Sequence, residues 1–152
     1  MSKPEFVYVT YIASTPQKVF DALRDPELTK DYWGRGRPVS DWQPGSRWEY
    51  QHYDDASQVD VVGTVLECEP PRRLVVTWGK PGRTGESRVT YQIDDAFGAV
   101  RLTVTHDQLE GDPETAKGIS QGWPAVLSSL KSLLETGEAM AMTKQRWGNC
   151  SK

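Results

Sequence analysis

The chain is poor in the residues that build metal centres and nucleophilic sites. Two cysteines and two histidines occur among 152 residues. Cys68 falls in a strand-like run and reads as a small buried hydrophobe, while Cys150 lies two residues from the end; neither has a CxxC partner or a neighbouring histidine. A metal or redox site therefore has no motif to rest on, and no metal or cofactor is expected. A Cys68–Cys150 disulfide stays open on sequence but would suit an oxidising compartment. Neither histidine stands at motif spacing from a serine or cysteine with an acidic partner, which argues against a nucleophilic triad. Positive charge is short too: 18 Lys and Arg face 21 Asp and Glu, and the signs are mixed throughout. Without a basic stripe, nucleic acid is not an expected partner. No apolar run approaches a membrane span and no signal-peptide pattern opens the chain, so membrane insertion is not expected and a cytoplasmic location is.

What is present is an ordinary globular composition, 37% hydrophobic and 26% charged, enough for one domain with a real core. The reading is a single domain over 1–137 and a C-terminal tail over 138–152 containing Met140, Met142 and Trp147. One long helical pattern occurs, from Thr115 to Thr136. Ile119, Trp123, Val126, Leu127, Leu130, Leu133 and Leu134 recur at three and four, an apolar stripe that must pack on something else. Its first half carries Gly118, Gly122 and Pro124, all poor inside a helix. That asymmetry predicts a helix packed tightly at one end and held off at the other, with either a pocket or a mere kink between.

The rest of the chain is short-period. Phe6 to Ala13 is aromatic and β-branched, a first strand. Ser14-Thr15-Pro16 starts a short helix with Val19, Phe20 and Leu23 inward, and Asp25-Pro26 starts another using Leu28, Tyr32 and Trp33. Gly34 to Pro38 breaks the helical pattern. Trp48, Tyr50 and His52 then alternate with charged residues. Asp54 to Gln58 reads as a hairpin loop. Val59 to Cys68 is a longer strand, with Gly63 marking a bulge or close approach. Two further inner sets are Leu74, Val76, Trp78 and Val89, Tyr91, Ile93, separated by a basic loop from Gly79 to Gly85. Leu102, Val104 and His106 close the series. Short turns make the sheet antiparallel. The predicted class is α+β: a curved sheet of six or seven strands around one long C-terminal helix, with two short helices after the first strand.

Several blocks in this order resemble the family of heat-shock-protein-90 ATPase activator homologues, within the START-like (SRPBCC) helix-grip superfamily. They are Ile12 to Leu23 with Asp25-Pro26; Trp42 to Trp48; Gly63 with Val65-Leu66-Glu67; Pro70 to Leu74 through Trp78; Leu102 to His106; and Gly122-Trp123 through Leu134. The sequence has Ser46 where such proteins often carry a second glycine. The resemblance implies a helix-grip fold with a cavity between sheet and last helix. It implies less about activity, because superfamily members bind lipids, sterols, polyketides and hormones, and a few catalyse cyclisation or dehydration.

A small hydrophobic or aromatic molecule is the expected partner. Large aromatic faces with one polar atom suit such a ligand. The expected lining is Trp48, Tyr50, Val61, Val76, Trp78, Tyr91, Val104, His106, Ile119, Gly122 and Val126. His52 and His106 both fall on inward sets, so either could act as an acid–base in a cyclase or dehydratase, or be held structurally by a carbonyl or tryptophan. Asp60, Glu67, Glu69 and Glu86 read as outward or turn-side carboxylates, and Asp54-Asp55 and Asp94-Asp95 as turn residues. A protein-binding module, or a homodimer through a sheet surface, is the remaining alternative; the former would show an exposed apolar patch and a filled cavity.

Overall fold

The computed structural model describes residues 5–111 and 113–146. A first strand, β1 (Phe6–Ile12), leads into α1 (Pro16–Arg24) and α2 (Pro26–Tyr32). Six strands follow: β2 (Gly36–Ser40), β3 (Arg47–His52), β4 (Asp55–Glu69), β5 (Arg73–Trp78), β6 (Ser87–Ala96) and β7 (Ala99–Asp107). The long helix α3 (Pro113–Thr136) comes last, before a short 3-10 turn at Ala141–Thr143. The strands form one antiparallel sheet in the order β1-β7-β6-β5-β4-β3-β2. This is the helix-grip arrangement, α+β, with a curved seven-stranded sheet.

Local chemistry accounts for the helix starts. Thr15 accepts from Lys18 N at 3.2 Å and Asp25 from Glu27 N at 2.9 Å, each followed by a proline at the first helical position, where the missing N–H leaves nothing unpaired. The inner face of the sheet, including Val65, Val89, Ile93, Val100, Leu102 and Val104, is buried with Val19 and Phe20 of α1 and Leu127 and Leu130 of α3.

Two segments differ from the sequence reading. Gly34 to Pro38 breaks the helix but also begins a strand, because β2 is a sheet edge where Pro38 owes no ladder hydrogen bond. Asp54 to Gln58 is not a hairpin loop: the turn is at Tyr53 and Asp54, and β4 starts at Asp55. Register shifts take up the surplus, since Val61 faces Tyr50, Val59 faces Gln51 and Asp55 faces His52. The exposed run Asp55–Gln58 is polar because it faces water, and that composition imitated a loop. Gly63 is a close approach: a Cβ there would sit 2.0 Å from the Thr77 carbonyl and 2.5 Å from Trp48 Nε1. Its absence lets the Trp48 indole donate to Thr77 O at 2.8 Å. Cys68 is half-buried and free, and Cys150 and Trp147 lie outside the described residues.

The tail over 138–146 is anchored at Ala139 and Thr143, which are buried, while most of its other residues are exposed. Thr143 donates to Asp31 O at 2.8 Å and shares a 2.6 Å hydrogen bond with Ser129 of α3, while Gly34 N donates to Thr143 O at 2.8 Å. No helix among the described residues is long and apolar enough to cross a membrane.

Candidate functional site

Gly118 and Gly122 lie one turn apart on α3, so they share a face. A Cβ at either would meet nothing within 4 Å. Beneath them are two adjoining chambers. The inner, about 130 Å³, is walled by Trp33, Trp78, His106, Ile119, Trp123 and Val126. The outer, about 450 Å³, has Tyr50, Val61 and Thr115 beside three charged residues, Asp60, Lys80 and Arg146. Trp33, Trp78, Gly118 and Gly122 border both.

Seven of the eleven residues expected to line a cavity border these chambers: Tyr50, Val61, Trp78, His106, Ile119, Gly122 and Val126. Trp48, Val76 and Tyr91 stand behind them around a crevice of about 10 Å³, and Val104 is packed in the core. Trp33, inward on its helix but outside the expected lining, borders both chambers and its ring is central. It lies 4.7 Å from Tyr50, 5.3 Å from Trp123 and 6.0 Å from Trp78, centroid to centroid. It caps the C-terminus of α2, and the left-handed Gly34 and Arg35 (φ 60° and 61°) turn the chain after it.

The two histidines do not come together. His106 is fully buried at the end of the inner chamber. Trp123 Nε1–H donates to its Nδ1 at 3.0 Å, and an indole nitrogen can only donate. Nε2 therefore carries the hydrogen and faces Ser87 Oγ at 2.7 Å, whose hydroxyl donates to the Trp78 carbonyl at 3.2 Å. The ring is a neutral, oriented link between α3 and the sheet. His52 borders neither chamber; its Nε2 lies 3.0 Å from Asp60 Oδ1 and 2.8 Å from Arg146. One nitrogen cannot donate to the first and accept from the second at once, so only one of the two is a hydrogen bond in a given tautomer.

Asp60 is the carboxylate that sequence periodicity misplaced. It is the extra residue between Val59 and Val61 where β4 loses register with β3, and a bulge re-aims a side chain across the pleat. Its Oδ2 accepts from Arg146 at 2.7 Å. The same guanidinium donates to Gly34 O at 3.0 Å, so the tail closes one side of the outer chamber. Tyr50 is buried, and burial pushes its phenol pKa well up, with the neighbouring Tyr32 and Tyr91 adding to the rise. Thr29 acts the other way, its own hydroxyl donating to Gly36 O at 2.9 Å; the Tyr50 hydroxyl is buried without a hydrogen-bond partner among the described residues. No cluster of three or more metal-ligating side chains occurs among the described residues.

Residues 13–135 match the family described as Activator of Hsp90 ATPase homolog 1-like protein. No curated protein matches the chain in sequence. Among solved structures, CalU16 from Micromonospora echinospora superposes with a TM-score of 0.74 at 19% identity, over 93% of this chain and 72% of that one. ChR145 from Cytophaga hutchinsonii gives 0.67 at 26% identity, over 88% and 96%. The Aha1 dimer from Colwellia psychrerythraea gives 0.68 at 17%, over 90% and 99%.

Proposed function

The chain belongs to the Activator of Hsp90 ATPase homolog 1-like family, with a START-like domain, and from that premise we propose that it binds a small hydrophobic or aromatic molecule between the sheet and α3. The observation that carries this reading is the vacancy under Gly118 and Gly122, walled by Trp33, Trp78 and Trp123. Rigid aromatic walls with few polar groups are what such ligands need. Binding is favoured over acid–base catalysis because both His106 nitrogens are already engaged, by Trp123 and Ser87. Protonating Nδ1 would set two donors face to face.

The test is tryptophan emission and thermal unfolding against fatty acids, sterols, flavonoids and polyketide-like aromatics. A true ligand quenches emission saturably and, at a hundredfold excess over its Kd, stabilises by about 2.7 kcal/mol. Gly122→Leu should abolish both responses. A panel without any response, or responses that Gly122→Leu leaves intact, would overturn the proposal.

A second reading, self-association, is favoured by one surface. Val7, Val9 and Tyr11 are 50%, 47% and 42% exposed on β1, an edge strand, and Tyr11 touches the exposed Phe97 at 6.2 Å. An apolar edge of this kind invites pairing with a second copy. Sedimentation should then show a dimer that Val9→Lys dissociates; a monomer at high concentration would rule it out.

A further inference from the structure

The outer chamber is not electrically balanced. Of its three charged walls, two neutralise each other: Asp60 accepts from Arg146 at 2.7 Å and is flanked by His52 at 3.0 Å. Arg146 is further tied to the Gly34 carbonyl. Lys80 is different. It follows Gly79, whose backbone pairs with Val62 in both directions at 2.9 and 2.8 Å, so the chain is fixed to β4 immediately before the lysine. Its side chain is half-buried on the chamber wall, and no carboxylate lies within ion-pairing distance among the described residues. An ammonium offers three donors and no acceptor. Set against a partly desolvating aromatic wall without a counter-ion, it favours the arrival of negative charge.

Resting on the ligand-binding reading above, we propose that the ligand is an aromatic oxyanion: a ring in the inner chamber, and a carboxylate, sulfonate or phosphate received by Lys80 in the outer one. The inner chamber's size limits what enters it, since a dry cavity of about 150 Å³ holds a benzene ring. The aromatic walls alone would also suit a cation. The carboxylate such a cation would need, Asp60, already holds Arg146, and Lys80 repels it.

A matched pair of probes isolates the charge. 1-Anilinonaphthalene-8-sulfonate and N-phenyl-1-naphthylamine share one arylaminonaphthalene body and differ in the sulfonate. Fluorescence titration at low salt should give about tenfold tighter binding of the sulfonate, the scale of a charge-assisted hydrogen bond. Lys80→Met should bring the two probes to near parity by weakening the sulfonate, and Lys80→Arg should keep most of the preference. Equal binding of both probes in the wild type and in Lys80→Met, with Gly122→Leu still blocking both, overturns the oxyanion assignment and leaves the pocket standing. Failure of both probes to bind at a site sensitive to Gly122→Leu overturns the assignment together with the reading beneath it. Because Lys80 lies in a loop, thermal unfolding of its variants should match the wild type.

Discussion

The two halves of α3 share one backbone and do opposite things. Past Val126, the last of its residues on the inner chamber, the helix packs against the core. Leu127 and Leu130 are fully buried, each such side chain worth about 1.5–3 kcal/mol of transfer free energy. Polar clamps add to this: Glu135 accepts from Ala13 N at 2.7 Å, and Lys131 donates to the Tyr11 carbonyl and pairs with Glu135. Before Trp123 the same helix offers Gly118 and Gly122 to empty space. The closed half supplies the stability that lets the open half remain unfilled. Between the two stands Trp123, tied to His106 and thereby to the sheet.

The largest test of that contrast is Leu130→Ala, expected to cost about 2–5 kcal/mol in urea unfolding through a buried cavity. Ile119→Ala, at the edge of an existing vacancy, should cost about 1 kcal/mol or less; near-equal losses would break the comparison. Next comes Trp123→Phe. It leaves His106 Nδ1 buried without its donor, and about 1–3 kcal/mol should be lost. Smaller and opposite in sign are Gly118→Ala and Gly122→Ala, each stabilising by up to about 1 kcal/mol because an alanine meets nothing there. Gly63→Ala should instead destabilise, since its Cβ would strike the Thr77 carbonyl. A loss at Gly118 would mean that the vacancy is already occupied by neighbouring atoms.

The smallest effect concerns pH. Arg35 hydrogen-bonds Asp54 at 2.7 Å and holds that carboxyl below its usual range, and Tyr53 does the same to Glu27. A depressed carboxyl contributes stability that is present above its unfolded pKa and lost as pH falls through the folded one. Both groups are solvent-exposed, so the acid-side decline in melting temperature should be slight. Asp54→Asn should flatten it measurably, and a steeper decline in that variant would contradict the assignment.

Much of this was legible because periodicity survives burial. The spacing of Leu127 and Leu130, the caps at Thr15 and Asp25 and the glycines of α3 each act locally, so they can be read without knowing what lies opposite. Half of the outer wall could not be read that way. Asp60 faces inward only because a bulge reverses the two-residue alternation. Lys80 is placed by a bridge from Gly79 to Val62, and Arg146 by a tail held through Thr143. Trp33 reaches the cavity through two left-handed residues, one of them an arginine. For Asp60, Lys80 and Arg146 a contact distant in sequence sets where a locally neutral residue lies.

The aromatic walls have a spectroscopic consequence. Trp48, Trp78, Trp33 and Trp123 form an unbroken series with neighbouring ring centroids 5.3 to 6.0 Å apart. At such spacing the rings do not behave as independent chromophores. Excitation absorbed by any of them migrates to the lowest-energy member before it is emitted, and the coupled transitions should appear as a strong near-ultraviolet circular-dichroism signal. A molecule touching Trp33 alone would thus alter the light from the whole array, making the protein its own optical reporter.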